Sequence, residues 1–160
     1  MSTYTAAITW EDDGGFPTGR YSRVHEMRFD GGAVVRGSSS PHVVPLPFSD
    51  PAGVDPEEAL IASASACHML WFLSLAHEAQ YHVLRYRDAA EGTMARVSRG
   101  KVAITRIVLR PDISFAGTAP DPEQIEALHH EAHERCFIAN SLRCEILIEA
   151  PAGKKQDPEE

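Results

Sequence analysis

At 160 residues, 43% hydrophobic and 24% charged, the chain has the size and composition of one globular domain with its own core, which excludes wholesale disorder. A formal charge of −8 argues against the Lys/Arg patches that non-specific binding to nucleic acid or an anionic membrane would need, so neither is expected as a partner. Three cysteines, with no basic-then-apolar leader in Met1 to Trp10, point to reduced thiols in a cytoplasmic protein rather than to a disulfide framework.

Tyr4 to Trp10 alternates weakly and is rich in Thr, Ile and aromatics, as a strand is. Asp12 to Gly19 turns the chain. Arg20 to Phe29 and Ala33 to Arg36 read as strands joined by Asp30-Gly31-Gly32, a hairpin signal. Ser38 to Val54, with Pro41, Pro45, Pro47 and Pro51, reads as a long loop.

Asp55-Pro56-Glu57-Glu58 predicts a helix start, with an Asp cap, Pro at the first helical position and acids in the first turn. The helix should run to about Gln80 and carry Leu60, Ala64, Cys67, Trp71 and Leu75 on its apolar face, with small residues between them. No uninterrupted apolar run approaches the roughly 20 residues of a membrane helix.

Val83 to Val97 and Lys101 to Phe115 predict two long strands turning at Arg99-Gly100, with a bulge near Arg106 where the apolar parity slips. Asp121-Pro122-Glu123 opens a second helix that points Ile125, Leu128, Ala132 and Cys136 inward and ends near Asn140 in a left-handed cap. Cys144 to Glu149 is a closing strand. The order predicts an α+β fold with a mostly antiparallel sheet, one domain over residues 1–149, and a disordered tail over residues 150–160.

The cysteines are the candidate chemistry. A lone helix cysteine is most often packing, but Cys67 shares its helix with Glu57, ten residues earlier. A cation brought near Cys67 would favour its thiolate, the nucleophilic form. His68 follows directly, although neighbouring helix positions diverge by roughly 100°.

On the second helix His129, His133 and Cys136 share a face at i, i+4 and i+7. From spacing alone this face is either a metal site, completed by Cys67 or Cys144, or a helix presenting Cys136 to Cys67 as a second redox thiol. Cys144, alternating with Ile146 and Ile148, reads as core.

Two segments resemble the OsmC/Ohr family of osmotically inducible and organic-hydroperoxide-resistance proteins. Asp55-Pro56-Glu57-Glu58-Ala59-Leu60-Ile61-Ala62-Ser63-Ala64-Ser65-Ala66-Cys67-His68 is similar to its first cysteine helix, and His133-Glu134-Arg135-Cys136-Phe137-Ile138-Ala139-Asn140-Ser141 to its second. The resemblance spans about Tyr4 to Glu149, with His68 in place of an aromatic or apolar residue and Phe137 in place of a proline.

It implies two central helices enclosed by antiparallel sheets in an intertwined homodimer. It also implies a thiol-dependent peroxidase for alkyl or fatty-acid hydroperoxides, with no cofactor. Cys67 would be peroxidatic and Cys136 would close a disulfide on it. A dithiol such as a lipoyl protein, thioredoxin or small thiol would reset the pair. Glu57 and an arginine, best matched by Arg23 and more weakly by Arg20, would complete the site. The alternative class is a non-catalytic metal- or small-molecule-binding dimer using Cys67, His133 and Cys136.

Overall fold

The computed structural model describes residues 1–149, which fall into two units, Met1–Ala59 and the residues from Leu60 onward. The predicted tail, residues 150–160, lies outside the described residues.

In the first unit β1 (Ala6–Thr9), β2 (His25–Phe29) and β3 (Val34–Gly37) form an antiparallel sheet in that order. The expected hairpin is present: Gly32, at φ 87°, supplies the left-handed turn, and its N–H donates to the Phe29 carbonyl. The strand expected from Arg20 begins only at His25. Before it, Trp10, Phe16 and Tyr21 pack ring to ring, and Asp12 accepts from the N–H groups of Gly14 and Phe16. That local packing holds the segment out of the ladder.

Helix α1 (Pro56–Glu78) starts where the sequence places it. Asp55 accepts from Glu58 N–H at 2.7 Å while the Glu58 carboxylate accepts from Asp55 N–H at 3.1 Å, a reciprocal cap that satisfies two free donors. It ends at Glu78, two residues early, with Gln80 in the left-handed region at φ 63°. The buried stripe is Ala64, His68, Phe72, Leu75 and Ala76. This is rotated from the expected face: Leu60, Cys67 and Trp71 are only half-buried.

By length and composition α1 could cross a membrane, contrary to the reading from uninterrupted runs. Its packing is that of a core helix. Phe72, Leu75 and Ala76 meet Ala132 and Leu128 of the second helix and Val83, Tyr86, Ile113 and Phe115 of the sheet.

The two long strands are each divided, giving four strands where two were expected. β4 (His82–Asp88) pairs with β7 (Pro111–Ala116), and β5 (Glu91–Ser98) with β6 (Lys101–Leu109), all antiparallel. The break has a local cause. Asp88 draws the Arg110 N–H out of the ladder at 2.6 Å, and Pro111 has no N–H to give. The Arg110 side chain spans the corner to Glu91 and Glu149.

The register slips between Thr93 and Met94, opposite Arg106 and Ile104, which leaves Thr105 as the extra residue beside the expected bulge. β8 (Glu145–Ile148) adds to β6 in parallel, so the sheets are mostly antiparallel. Gly92 has a steric reason: a Cβ there would stand 2.4 Å from Ile61 Cδ1 of α1.

Helix α2 (Pro122–Arg135) opens with a capping box between Asp121 and Gln124. It stops five residues short of Asn140. Cys136 takes an extended conformation at the C-cap, followed by a 3-10 turn at Ala139–Ser141. Asn140 closes the end with its side chain, Nδ2 donating to the Glu134 carbonyl at 2.8 Å, in place of the expected left-handed backbone.

Candidate functional site: a thiol pair beside buried histidines

In the second unit α1 and α2 bring Cys67 and Cys136 together as neighbours, near enough for the Cys67 thiol to act on that of Cys136, both as free thiols. Their surroundings differ. Cys67 is half-buried on the flank of α1, whereas Cys136 is 1% exposed. Burial first, then the hydrogen bond with Cys67, push the Cys136 thiol up to about 11, although it accepts the Ala139 N–H at 3.4 Å.

Placing Cys136 at the cap matters, because the chain leaves the helix there and the sulfur is fixed by the following turn. Asn140 N–H donates to the Cys136 carbonyl at 3.0 Å, and Asn140 Nδ2 ties the same turn back to the helix.

α1 is anchored near Cys67 by Ser65, whose hydroxyl donates to Asp88. One residue after Cys67, His68 is buried and its Nε2 faces His129 Nδ1 of α2 at 3.0 Å. The rings are 11° from coplanar with centroids 5.3 Å apart. That separation exceeds the nitrogen gap by about one ring diameter, so the nitrogens meet head-on. This is the geometry of a direct hydrogen bond, one ring donating and the other accepting, and it leaves no room for a shared metal ion.

Burial pushes both imidazoles down to about 4. Like-charge repulsion adds to this, from His133 on His68 and from His68 on His129, while Asp88 opposes it at His68. The outer nitrogens, His68 Nδ1 and His129 Nε2, have no protein partner among the described residues, and neither has the buried Tyr86 hydroxyl. Phe72 stands against His129 at 4.5 Å and Tyr86 at 5.8 Å between ring centroids.

Cys144 packs as expected, half-buried against Ala64, Ile107 and Leu109. His129 and His133 do not act alike: His129 is buried against His68, and His133 is half-buried. Among the described residues no group of three or more His, Cys, Asp or Glu side chains is arranged to hold a metal ion. The metal alternative therefore gains no support.

The other two expected residues belong to the first unit. Glu57 lies in the first turn of α1, half-buried. The Arg23 guanidinium lies 3.7 Å over the Tyr21 ring and donates to the Tyr21 carbonyl. Arg20 sits 5.7 Å over Phe48. Among the described residues Arg23 and Glu57 form no ion pair.

The pairing of His68 with His129 was missed from sequence. The available signal was spacing: His68 continues Ala64 and Phe72 at four-residue steps, and His129 sits among Ile125, Leu128 and Ala132.

Residues 49–150 match the model of the OsmC-like protein family. No functionally curated protein matches the chain. Among solved structures, an OsmC-like protein of unknown function from Vibrio cholerae is 47% identical, with 94% of this chain and all of that one covered at a TM-score of 0.91. Two others share the fold at low identity. An organic hydroperoxide resistance protein OsmC from Legionella pneumophila is 16% identical, with 94% and 96% covered at a TM-score of 0.67. The organic hydroperoxide resistance protein OhrB of Bacillus subtilis is 17% identical, with 94% and 98% covered at 0.66. With more than half its length matched by the family model, the chain belongs to the OsmC-like proteins.

Proposed function

We propose that the protein is a cytoplasmic thiol-dependent peroxidase that reduces organic hydroperoxides through Cys67 and Cys136. The observation that carries the reading is the asymmetry of two neighbouring free thiols: one reachable from solvent, the other buried and held protonated to about 11. A nucleophile must be accessible, and a resolving thiol must wait unreacted beside it.

In the first step the Cys67 thiolate attacks the terminal peroxide oxygen. The O–O bond breaks, the alkoxide takes a proton and leaves as an alcohol, and Cys67 becomes a sulfenic acid, oxidised by two electrons. In the second step the Cys136 sulfur attacks Cys67. The S–O bond breaks, the hydroxide takes the Cys136 proton, and water leaves as the disulfide forms. An external dithiol returns the pair to thiols and is itself oxidised to a disulfide.

Arg23 and Glu57 enter through the family resemblance. A guanidinium at the thiol would stabilise the thiolate and the charge growing on the departing oxygen, and Glu57 would orient it by a paired hydrogen bond. Arg23, whose guanidinium lies over Tyr21, is the first candidate for that cation. Arg20 is the alternative cation.

A homodimer is part of the same reading. Leu70, Leu84, Val102 and Phe137 are each at least 60% exposed, and a second copy is the simplest cover for so much apolar surface on one unit. Two hydroperoxide-resistance proteins of the same fold support the substrate class.

The test is a count of free thiols before and after one equivalent of cumene hydroperoxide. Two thiols per chain should be lost as one equivalent of alcohol forms, and Cys67→Ser should abolish both. Alcohol formation that persists in Cys67→Ser would sink the assignment.

A further inference from the structure

We propose that the His68–His129 hydrogen bond is a neutral latch that sets the register of the two cysteine helices, so that Cys136 can close on Cys67. This rests on the thiol pair being redox-active. The two histidines are positioning residues: they touch neither sulfur's substrate nor the reacting atoms.

Placement is the first argument. His68 is the residue after Cys67 on α1, and His129 lies seven residues, about two turns, before Cys136 on α2. Apart from the thiols themselves, theirs is the side-chain hydrogen bond that joins α1 to α2 among the described residues. The other contacts across this seam tolerate sliding: Trp71 edge-on to Phe137 at 5.6 Å, Arg135 over Trp71 at 5.7 Å, and apolar packing of Phe72, Leu75 and Ala76 on Ala132. A head-on bond between two planar rings does not slide.

Chemistry is the second argument. An apolar pair would fill this space without orphaned nitrogens, so two buried imidazoles are an expensive choice unless the bond itself is used. The bond needs one proton between the facing nitrogens. Burial keeps both rings neutral at physiological pH and so keeps that proton count. His133 and Asp88 are the charged or titratable groups acting on His68, and His68 is the one acting on His129.

Side-chain amides provide a test that separates the bond from mere bulk. The Asn amide reaches the place of a histidine Nδ1, and the Gln amide the place of Nε2. His129→Asn and His68→Gln therefore keep an atom at each bonding position, whereas His129→Gln and His68→Asn put it at the wrong reach.

Two readouts apply to the folded full-length protein. One is the effective concentration of the Cys67–Cys136 pair in a glutathione redox buffer, which needs no peroxide. The other is the rate of disulfide closing relative to sulfenic acid formation after mixing with cumene hydroperoxide. The matched amides should stay within about threefold of the parent in both, and the mismatched amides should fall about tenfold, the scale of one lost buried hydrogen bond.

Equal values for matched and mismatched variants, high or low, would overturn the latch. Because each helix carries one matched and one mismatched variant, loss of one to misfolding leaves the other pair to decide. A parent that forms the disulfide in glutathione but gives no alcohol from peroxide would sink the peroxidase reading alone.

Discussion

Acidification should unfold this protein through two groups in particular. His68 and His129 are buried and held down to about 4, against about 6.5 in an unfolded chain. A depressed histidine binds its proton more readily unfolded than folded, so stability is full above pH 6.5 and is lost as pH falls from 6.5 towards 4. Each displacement is worth about 3 kcal/mol at its limit, and both together give a slope of up to about 2.7 kcal/mol per pH unit inside that window. The first added proton goes to an outer nitrogen, because the bond already holds its own, whereas a second would put hydrogens on both facing nitrogens and break it.

Urea unfolding at pH 7, 6 and 5, at fixed protein concentration and followed by tryptophan fluorescence, measures this directly. His68→Gln, which carries no titrating ring, should flatten the dependence by roughly half. Asp50, held low mainly by the Ala52 N–H and Arg36, acts below this window and does not blur it. An unchanged slope in both His68→Gln and His129→Asn would refute the assignment of acid sensitivity to this pair.

Cys136→Ser should leave a sulfenic acid on Cys67 that a dimedone probe traps and that excess peroxide carries on to the sulfinic acid; no trapped species would remove Cys136 from the resolving role. Arg23→Ala should slow peroxide reduction about a hundredfold to a thousandfold without unfolding the chain, and an unchanged rate would move the role to Arg20. Phe72→Ala, at a fully buried position wedged between His129 and Tyr86, should cost about 3–5 kcal/mol in urea unfolding, whereas a loss under about 1 kcal/mol would mean the site collapses around the cavity.

The sequence carried the helix starts in full, because a capping box is written within four residues: Asp55 with Glu58, and Asp121 with Gln124. Helix ends were less legible. α2 stops at Arg135 because Asn140 reaches back with its side chain to Glu134, a contact that local propensity does not encode. The division of each long strand turns on Asp88 capturing one N–H from Arg110, 22 residues away.

The thiols were legible as candidates from their helices, but the contact between them is tertiary. The histidine pair was hidden by chemistry. A histidine counts as polar in an apolar pattern, and only a partner 61 residues away makes its burial affordable. Arg23 was placed by spacing alone, and spacing could not foresee its stacking on Tyr21.

The most direct measurement is peptide mapping, under non-reducing conditions, of protein treated with one equivalent of organic hydroperoxide. A single linkage should appear, joining the peptide of Cys67 to that of Cys136, with Cys144 left as a free thiol. A Cys136–Cys144 linkage, or oxidation confined to Cys144, would contradict the assignment of attacker and resolver.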